Sequence, residues 1–229
     1  IMSFDECIPY PADRAYVEAS IARTTRWERQ TLDHHPRDGR ALFGIVQGGV
    51  YPDLRLRSAR ELLELDFDGM AMGGLFVGEE RDTAMELLGI VGEEIPQDRA
   101  RYVMGVGTPI EILDCVAAGW DMFDCVLPSR NARHGTAMTF EGPVRLKNAS
   151  HRSAAAPLEE GCDCLACTSY SRAYLRHLLV AKELVASTLI THHNLRFMQR
   201  LMTRARQAIE AGTFQAFRDE TAQRYGFEG

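Results

Sequence analysis

The chain has 229 residues, of which 45% are apolar and 25% charged, and its formal net charge is −6. This length and composition fit one large globular domain, or one domain with a small appendage. No run of about 18 apolar residues occurs, which excludes a membrane-spanning helix, and the negative net charge argues against nucleic-acid binding over the whole surface. Because an apolar segment starts at Ile1, we expect the chain to begin within a larger protein.

Short apolar segments alternate with amphipathic segments over the first half of the chain. The predicted strands are 1–7, 41–49, 67–75, 101–107 and 120–128, and the predicted helices are 12–32, 53–65, 80–95 and 109–119. Strands that alternate with helices predict parallel βαβ units, and uninterrupted apolar strands are expected where both faces of a sheet are buried. An open doubly wound sheet and part of a (β/α)8 barrel both fit this pattern.

The ends of the predicted strands favour the barrel. Barrel enzymes spread their functional groups over many strand ends, whereas an open sheet concentrates them at one switch point. Here the strand ends carry Asp5, Gln47, Gly73 with Gly74, Gly105 and Asp124. Five strands cannot close an eight-stranded barrel, so three βα units would have to precede residue 1. We therefore predict that residues 1–148 are the C-terminal portion of a (β/α)8 catalytic barrel.

A different pattern follows Arg133. Residues 135–148 predict a hairpin with a turn at Gly142 and Pro143, and helical spacing predicts helices over 169–187, 194–212 and 213–225. Before the hairpin, Pro128 is expected to end the last strand, and "SRNAR" (129–133) is interpreted as a cationic loop. Five Lys or Arg against one acid between 130 and 152 are compatible with a local RNA-binding patch.

Three cysteines and a histidine have the spacing of a metal site. Cys162, Cys164 and Cys167 form C-x-C-x2-C, and His193 follows after 25 intervening residues, with His192 as the rival ligand. Three thiolates and one imidazole predict a closed, structural Zn²⁺ site, one per chain. We therefore assign residues 149–229 to a zinc-binding subdomain with closing helices. The other cysteines are scattered and no secretion signal occurs, which indicates a reducing, cytoplasmic compartment.

The aspartates at two strand ends are candidate catalytic groups. Two carboxylates that face one cavity suit chemistry at a glycosidic carbon, and Asp5 and Asp124 are so placed. Asp121 lies three positions before Asp124, so on a strand it would point to the opposite face. Spacing alone fits a helix cap or a loop anchor as well as it fits catalysis.

Six motifs, taken in chain order, closely resemble the bacterial tRNA-guanine transglycosylases, the queuine tRNA-ribosyltransferase family. They are "FDEC", "FGIVQGG", "MGGLFVGE", "RYVMGVGTP", "DMFDCVLPSRNARHG" and "CDCLAC…HHNL". The resemblance implies a zinc-bearing (β/α)8 barrel that exchanges the wobble guanine of certain tRNAs for a 7-deazaguanine. It implies that Asp124 is the nucleophile, which attacks C1′ of the wobble ribose and forms a covalent ribosyl-aspartate.

The same resemblance implies two sets of binding residues. The base, guanine or 7-aminomethyl-7-deazaguanine (preQ1), would be bound by Asp5, Cys7, Gln47, Gly73, Gly74, Leu75 and Met104. Cys7 and Val77 resemble bacterial members and point to preQ1. The tRNA anticodon loop would be bound by Gly105, Val106, Gly107, Thr108, Pro109, Ile110, Glu111, Ser129, Arg130, Asn131, Ala132 and Arg133.

The resemblance also implies a homodimer. A helical stripe of Tyr170, Tyr174 and His177 would suit its interface, although packing on the barrel explains the stripe equally well. The family's N-terminal "SGGFQ"-type segment, with a further aspartate, has no match here, so we expect this fragment alone to be inactive. Two alternatives are an archaeosine-type transglycosylase and a non-catalytic, zinc-stabilised tRNA-binding subunit.

Overall fold

A computed structural model describes residues 1–226, so the last three residues of the predicted zinc-binding subdomain, 227–229, lie outside the described residues. The chain divides into two compact units. The first comprises Ile1–Val106 and Asp114–Cys125, and the second comprises Gly107–Leu113 and the described residues from Val126 onward. This division differs from the predicted boundary at residue 148, because the hairpin that follows Arg133 packs with the C-terminal helices.

Parallel strands and helices alternate in the first half of the chain, as predicted. In chain order these are α1 (Arg14–His34), β1 (Phe43–Val46), α2 (Pro52–Leu63), β2 (Gly69–Met72), α3 (Arg81–Glu94), β3 (Ala100–Val103), α4 (Pro109–Ala117) and β4 (Met122–Phe123). The strands form one parallel sheet in the order β1-β2-β3-β4. Within the described residues this sheet is open, so the α/β class and the parallel sheet are confirmed, whereas a closed barrel is not seen.

The first and last predicted strands are much shorter than expected. The segment 1–7 forms a single parallel bridge between Met2 and Phe43, flanked by hydrogen bonds of 2.9 Å from Ser3 N to Phe43 O and from Phe43 N to Ile1 O. The strand predicted over 120–128 is only β4. Its ladder ends at Phe123 because the chain turns there toward the helix that follows.

The predicted cationic loop is wrong, because residues Leu127–His134 form helix α5. Pro128 lies in the first turn of this helix, where a proline loses no intrahelical hydrogen bond, so it helps to begin a helix. Gly135 ends the helix with φ of 85°, and its N–H donates to the carbonyl of Ala132. "SRNAR" is therefore presented on a helix with a defined surface.

The second unit contains the predicted hairpin and a group of helices. They are β5 (Thr136–Ala137), β6 (Val144–Arg145), α6 (Leu165–Ser169), α7 (Arg172–Val180), α8 (Leu184–Glu210) and α9 (Phe214–Tyr225), with a short 3₁₀ turn at Ala149–His151. β5 and β6 are antiparallel, which confirms the hairpin. Its inner helices pack around a core that contains Ala132, Leu175, Leu178 and Ile190. No helix in the part of the chain that the structure describes combines the length and hydropathy of a bilayer span.

The helices predicted at 169–187 and 194–212 divide at a different place. The chain turns at Lys182, which has φ of 61°, and Glu183 N–H donates to the carbonyl of Leu178 across the end of α7. This is a Schellman-type cap in which a lysine occupies the position that usually favours glycine. Since α8 contains neither glycine nor proline, it continues through the predicted break.

A buried carboxyl group joins the N-terminal segment to the sheet. Glu28, on α1, is fully buried, and its Oε1 accepts hydrogen bonds from Ser3 Oγ (2.9 Å) and from the N–H of Ile45 (2.6 Å). Its Oε2 has no partner within the described residues. Burial raises the pKa of Glu28 to about 8. Glu28 therefore holds a proton at neutral pH in the folded protein.

Glu28→Gln is expected to flatten the pH dependence of stability. The unfolded chain releases this proton above about pH 4.3, whereas the folded protein keeps it to about pH 8. Stability therefore falls as pH rises through this window. Relative to the variant, the wild-type free energy of unfolding should fall by about 2–3 kcal/mol from about pH 5 to about pH 7, measured by urea denaturation.

A matched control for Glu28 is Glu94→Gln. Glu94 lies on α3, its hydrogen bond to Arg60 lowers its pKa, and it therefore titrates below this window. This variant should keep the wild-type pH slope. Equal slopes for the wild type and Glu28→Gln would show that Glu28 is ionised in the folded protein.

Candidate active site and candidate metal centre

A buried glutamine and an aspartate meet at the end of β1. Gln47 is fully buried, and its Nε2 donates to Oδ2 of Asp5 over 2.6 Å. The backbone N–H of Gln47 donates to Ser58 Oγ of α2, which fixes the strand end. Oε1 of Gln47 has no partner within the described residues, which leaves a buried acceptor in the site. The structure therefore brings the predicted pair of Asp5 and Gln47 together, and Gln47 Oε1 is available to accept a further hydrogen bond.

Two glycines let the neighbouring strand end lie against this pair. A Cβ added to Gly73 would lie 2.7 Å from Gln47 Nε2 and 3.4 Å from Asp5 Oδ2. A Cβ on Gly74 would lie 2.6 Å from Gln47 Oε1, and Gly74 has φ of 60°. Only glycine tolerates both this conformation and this approach. The backbone after β2 is thus held within reach of any group that Asp5 and Gln47 bind.

Asp124 is exposed directly after β4, and one of its carboxylate oxygens is fixed. Oδ1 accepts hydrogen bonds from the hydroxyl of Tyr102 (3.1 Å) and from the N–H of Gly105 (3.3 Å), whereas Oδ2 has no partner within residues 1–226. Burial, together with the nearby charge of Asp124, raises the pKa of Tyr102 to about 12. Tyr102 is therefore a neutral donor, and the carboxylate presents a free oxygen in a defined orientation.

The other aspartate of this stretch has a structural role. Oδ2 of Asp121 accepts a hydrogen bond from the backbone N–H of Arg101 over 2.9 Å, at the start of the β3–β4 pairing. Both aspartates are exposed, and they differ in their partners. Asp121 anchors the start of the β3–β4 pairing, whereas Asp124 accepts from the Tyr102 hydroxyl and the Gly105 N–H.

The remaining residues of the predicted base site differ in exposure. Cys7 is exposed, Leu75 is buried, and Met104 is half-buried where its N–H extends the ladder to Met72 O (3.3 Å). The observed side-chain contacts thus form two groups, one around Asp5 and Gln47 and one around Asp124.

Sequence reasoning did not identify three residues of this region, which are Tyr102, Glu79 and Arg55. Tyr102 and Glu79 had detectable signals. Tyr102 lies two residues before Met104, so in an extended chain both side chains point to the same face. Glu79 lies three residues after Phe76, a spacing at which a carboxylate can accept from N–H groups of its own loop. The Glu79 carboxylate accepts hydrogen bonds from the N–H groups of Phe76 (2.5 Å) and Val77 (3.0 Å). Arg55, which donates to the carbonyls of Gly73 and Gly74, had no signal, since arginine on an amphipathic helix usually lies in solvent.

The two predicted tRNA-binding segments are only partly accessible. Thr108 and Glu111 bind each other as a capping box at the start of α4, with Thr108 Oγ1 2.6 Å from Glu111 Oε2. Thr108 is therefore the N-cap of α4. The buried members of the two segments are Val106, Gly107, Pro109, Ile110 and Ala132. On α5, Arg130 and Arg133 are exposed and form no ion pair with any described residue.

Four predicted metal ligands converge in the second unit. The ligand atoms of Cys162, Cys164, Cys167 and His193 all lie within 4.8 Å of one another. The three sulfurs lie 3.7, 3.4 and 3.3 Å from His193 Nδ1. Tetrahedral zinc with usual bond lengths would place sulfur and nitrogen ligands about 3.6 Å apart. The cluster therefore has the size and donor set of a closed tetrahedral metal site.

The histidine ligand is fixed from behind. His193 Nε2 donates to the carbonyl of Met138 over 2.8 Å, so the lone pair of Nδ1 faces the sulfurs. His193 is fully buried, whereas His192 is exposed, which excludes the rival ligand. The expectation that His193 precedes a helix is wrong, since it lies inside α8.

The sulfur atoms lie close enough to shift one another's pKa. A hydrogen bond from the Cys167 thiol lowers the pKa of Cys164, and the same bond raises the pKa of Cys167. Three thiolates cannot coexist here without a cation to compensate their charge. This arrangement suits a divalent ion, which displaces the thiol protons when it binds.

Comparisons with known proteins identify the family of this chain. The sequence model of a family described as queuine tRNA-ribosyltransferase matches residues 1–226. A queuine tRNA-ribosyltransferase from Solidesulfovibrio magneticus is 52% identical over 227 residues, which cover 98% of this chain and 61% of the relative. One from Staphylococcus aureus strain JH9 is 49% identical, over 99% of this chain and 60% of the relative. The chain thus spans about three fifths of the length of these relatives. It belongs to the queuine tRNA-ribosyltransferase family.

Proposed function

We propose that this protein is a tRNA-guanine transglycosylase, which exchanges the wobble guanine of tRNAs with GUN anticodons for preQ1. The observation that carries the proposal is Asp124, an exposed carboxylate with one oxygen held by Tyr102 and Gly105 and the other free. A carboxylate held in this way is suited to form an ester with an anomeric carbon.

The proposed reaction has two displacements at C1′ of the wobble ribose. Oδ2 of Asp124 attacks C1′, the bond to N9 of guanine breaks, and guanine leaves with the bonding electrons and takes up a proton. N9 of the incoming base then loses its proton and attacks C1′, and the aspartate leaves as a carboxylate. Two inversions retain the configuration of the ribose. Tyr102 and Gly105 keep the carboxylate oriented through both steps.

The groups around β1 and β2 are proposed to bind the exchanged base. Asp5 would accept hydrogen bonds from ring and amino N–H groups, and the free Oε1 of Gln47 offers a further acceptor. The backbone of Gly73, Gly74 and Leu75 lies close enough to contact the same edge. Met104 would pack on a face of the base. Cys7 and Val77, both exposed, are consistent with preQ1 as the incoming base.

Arg130 and Arg133 on α5 are proposed to contact the anticodon loop, together with the accessible residues of 105–111. Both arginines are free of carboxylate partners, so their guanidinium groups are available to phosphates and to unstacked bases. The target nucleotide must leave its stack to reach a carboxylate. These local cations support RNA binding by a chain whose net charge is negative.

Zinc is the metal proposed for the Cys₃His site, because thiolate and imidazole ligands in a closed tetrahedral set favour it. When bound, it would stabilise the fold and take no part in the exchange. We also infer a homodimer in the cytoplasm. The stacked rings of Tyr170 and Tyr174, with centroids 5.2 Å apart, would form part of its interface. The open parallel sheet is proposed to belong to a (β/α)8 barrel.

The test is a base-exchange assay with the full-length protein. A tRNA with a GUN anticodon and labelled wobble guanine is incubated with preQ1. Release of guanine should match incorporation of preQ1, and a covalent protein–RNA complex should survive denaturant. The same tRNA with adenine at the wobble position is the control and should release nothing. Binding of tRNA without release or adduct would favour a non-catalytic, zinc-stabilised tRNA-binding subunit.

A further inference from the structure

Arg55 is a buried cation whose oxygen partners are all backbone carbonyls, and its one side-chain partner is the Sδ atom of Met72, at 3.5 Å. It lies on α2, is fully buried, and forms no ion pair with a carboxylate among the described residues. Its guanidinium donates to four carbonyls, those of Gly49 (2.8 Å), Val46 (3.0 Å), Gly73 (2.6 Å) and Gly74 (2.8 Å). Burial lowers its pKa to about 10, so it stays charged at neutral pH. An apolar side chain would fill this space without the cost of desolvating a charge, so packing alone does not explain an arginine here.

The carbonyls that Arg55 holds dictate where the adjacent N–H groups point. The peptide bonds at Gly73–Gly74 and Gly74–Leu75 are trans, so each N–H points opposite to the carbonyl of the same peptide. Because both carbonyls point toward Arg55, the N–H groups of Gly74 and Leu75 point away from it. Neither N–H donates a hydrogen bond to any residue in the range 1–226. They are free donors at the strand end.

These free donors stand beside an acceptor. Asp5 Oδ2 lies 3.4 Å from the position of a Cβ on Gly73, next to the turn. A carboxylate beside backbone N–H groups complements a base edge that carries an N–H beside a carbonyl. In a base with an amino group in place of that carbonyl, the amino N–H would face the N–H groups of Gly74 and Leu75, and no hydrogen bond could form. Leaving such donors unpaired discriminates strongly between otherwise similar ligands.

We propose that Arg55 is a positioning residue that holds the Gly73–Gly74–Leu75 turn with its N–H groups toward the base, and so selects bases that carry a carbonyl. This inference rests on the proposed function, since it assigns the base that the Asp5 and Gln47 site accepts. Guanidinium suits the task because its planar, divergent donors reach several carbonyls at once, whereas an ammonium group is a point charge.

The test compares two bases in the full-length protein. Dissociation constants are measured for guanine and for 2,6-diaminopurine, in which an amino group replaces the carbonyl. Arg55→Met should weaken guanine binding by about 10- to 100-fold and leave diaminopurine binding nearly unchanged. Arg55→Lys, which keeps the charge, should lose part of the preference for guanine. Circular dichroism and metal content establish that each variant is folded.

Arg57→Lys is the matched control. Arg57 lies on the same helix, half-exposed, and binds Glu61, so its replacement should leave both dissociation constants unchanged. If the folded Arg55 variants bind guanine and diaminopurine equally more weakly than the wild type, the inference is overturned and the proposed function stands. The same conclusion follows if neither dissociation constant changes. A wild-type protein that binds neither base would overturn both.

Discussion

In the full-length protein, Asp124→Asn should abolish base exchange and leave tRNA binding intact. The amide has nearly the shape of the carboxylate, and its oxygen can still accept from Tyr102 and Gly105. It is not a nucleophile, however, so no ester with C1′ can form. Loss of an essential nucleophile costs at least about 10⁴-fold in kcat. The measurements are guanine release, the denaturant-stable protein–RNA adduct, and the dissociation constant for tRNA by fluorescence anisotropy.

Asp121→Asn is the control for this variant. It makes the same chemical change three residues earlier, where the carboxylate accepts only from the backbone N–H of Arg101. Adduct formation should stay within about a few-fold of the wild type, since surface polar changes have small effects. An adduct in Asp124→Asn, or loss of tRNA binding together with loss of the adduct, would contradict the assignment of Asp124 as the nucleophile.

The sequence predicts the site residues that lie at strand ends and in short motifs. Parallel strands put their carboxyl ends at one edge of a sheet, so Asp5 and Gln47 could be expected to meet there, and they do. The cysteine spacing likewise predicts the metal cluster, because three sulfurs within six residues can converge only in one turn. In both cases the geometry is set by local chain structure, which the residue pattern encodes.

Buried charges could not be predicted in this way. Arg55 and Glu28 lie on amphipathic helices, where a charged residue is normally assigned to the solvent face. Their burial depends on strands far away in sequence, which supply the carbonyl and N–H partners. The end of β4 was missed for a related reason. Pro128 is compatible with a strand end and with a first helical turn, and only its surroundings decide between them.

His193→Ala should release the metal and destabilise the second unit. The imidazole supplies the only nitrogen in the cluster, and it enters from α8, whereas the sulfurs come from 162–167. Without it the three thiols lose the contact that joins them to that helix. Metal content should fall from about one ion per chain to near zero after dialysis against a chelator. The free energy of unfolding should fall by about 3 kcal/mol or more.

His192→Ala tests the assignment of the ligand. It removes the exposed neighbour of His193 and should leave metal content and stability unchanged. Metal analysis by mass spectrometry and urea denaturation compare the two variants. Retention of the metal by His193→Ala, with its loss from His192→Ala, would reverse the assignment.

Asn194→Ala distinguishes the contribution of the metal from the contribution of the neighbouring hydrogen bonds. Asn194 follows His193 on α8, accepts from Met138 N–H (2.8 Å), and donates to the carbonyls of Pro128 (2.9 Å) and Thr136 (3.2 Å). It thus binds the hairpin and the start of α5 beside the metal ligand. This variant should keep its metal but lose amide-exchange protection around Met138, whereas His193→Ala should lose both. If chelation of the wild type leaves that protection intact, the metal does not hold the α8–hairpin contact, and stability there comes from Asn194 and the apolar core.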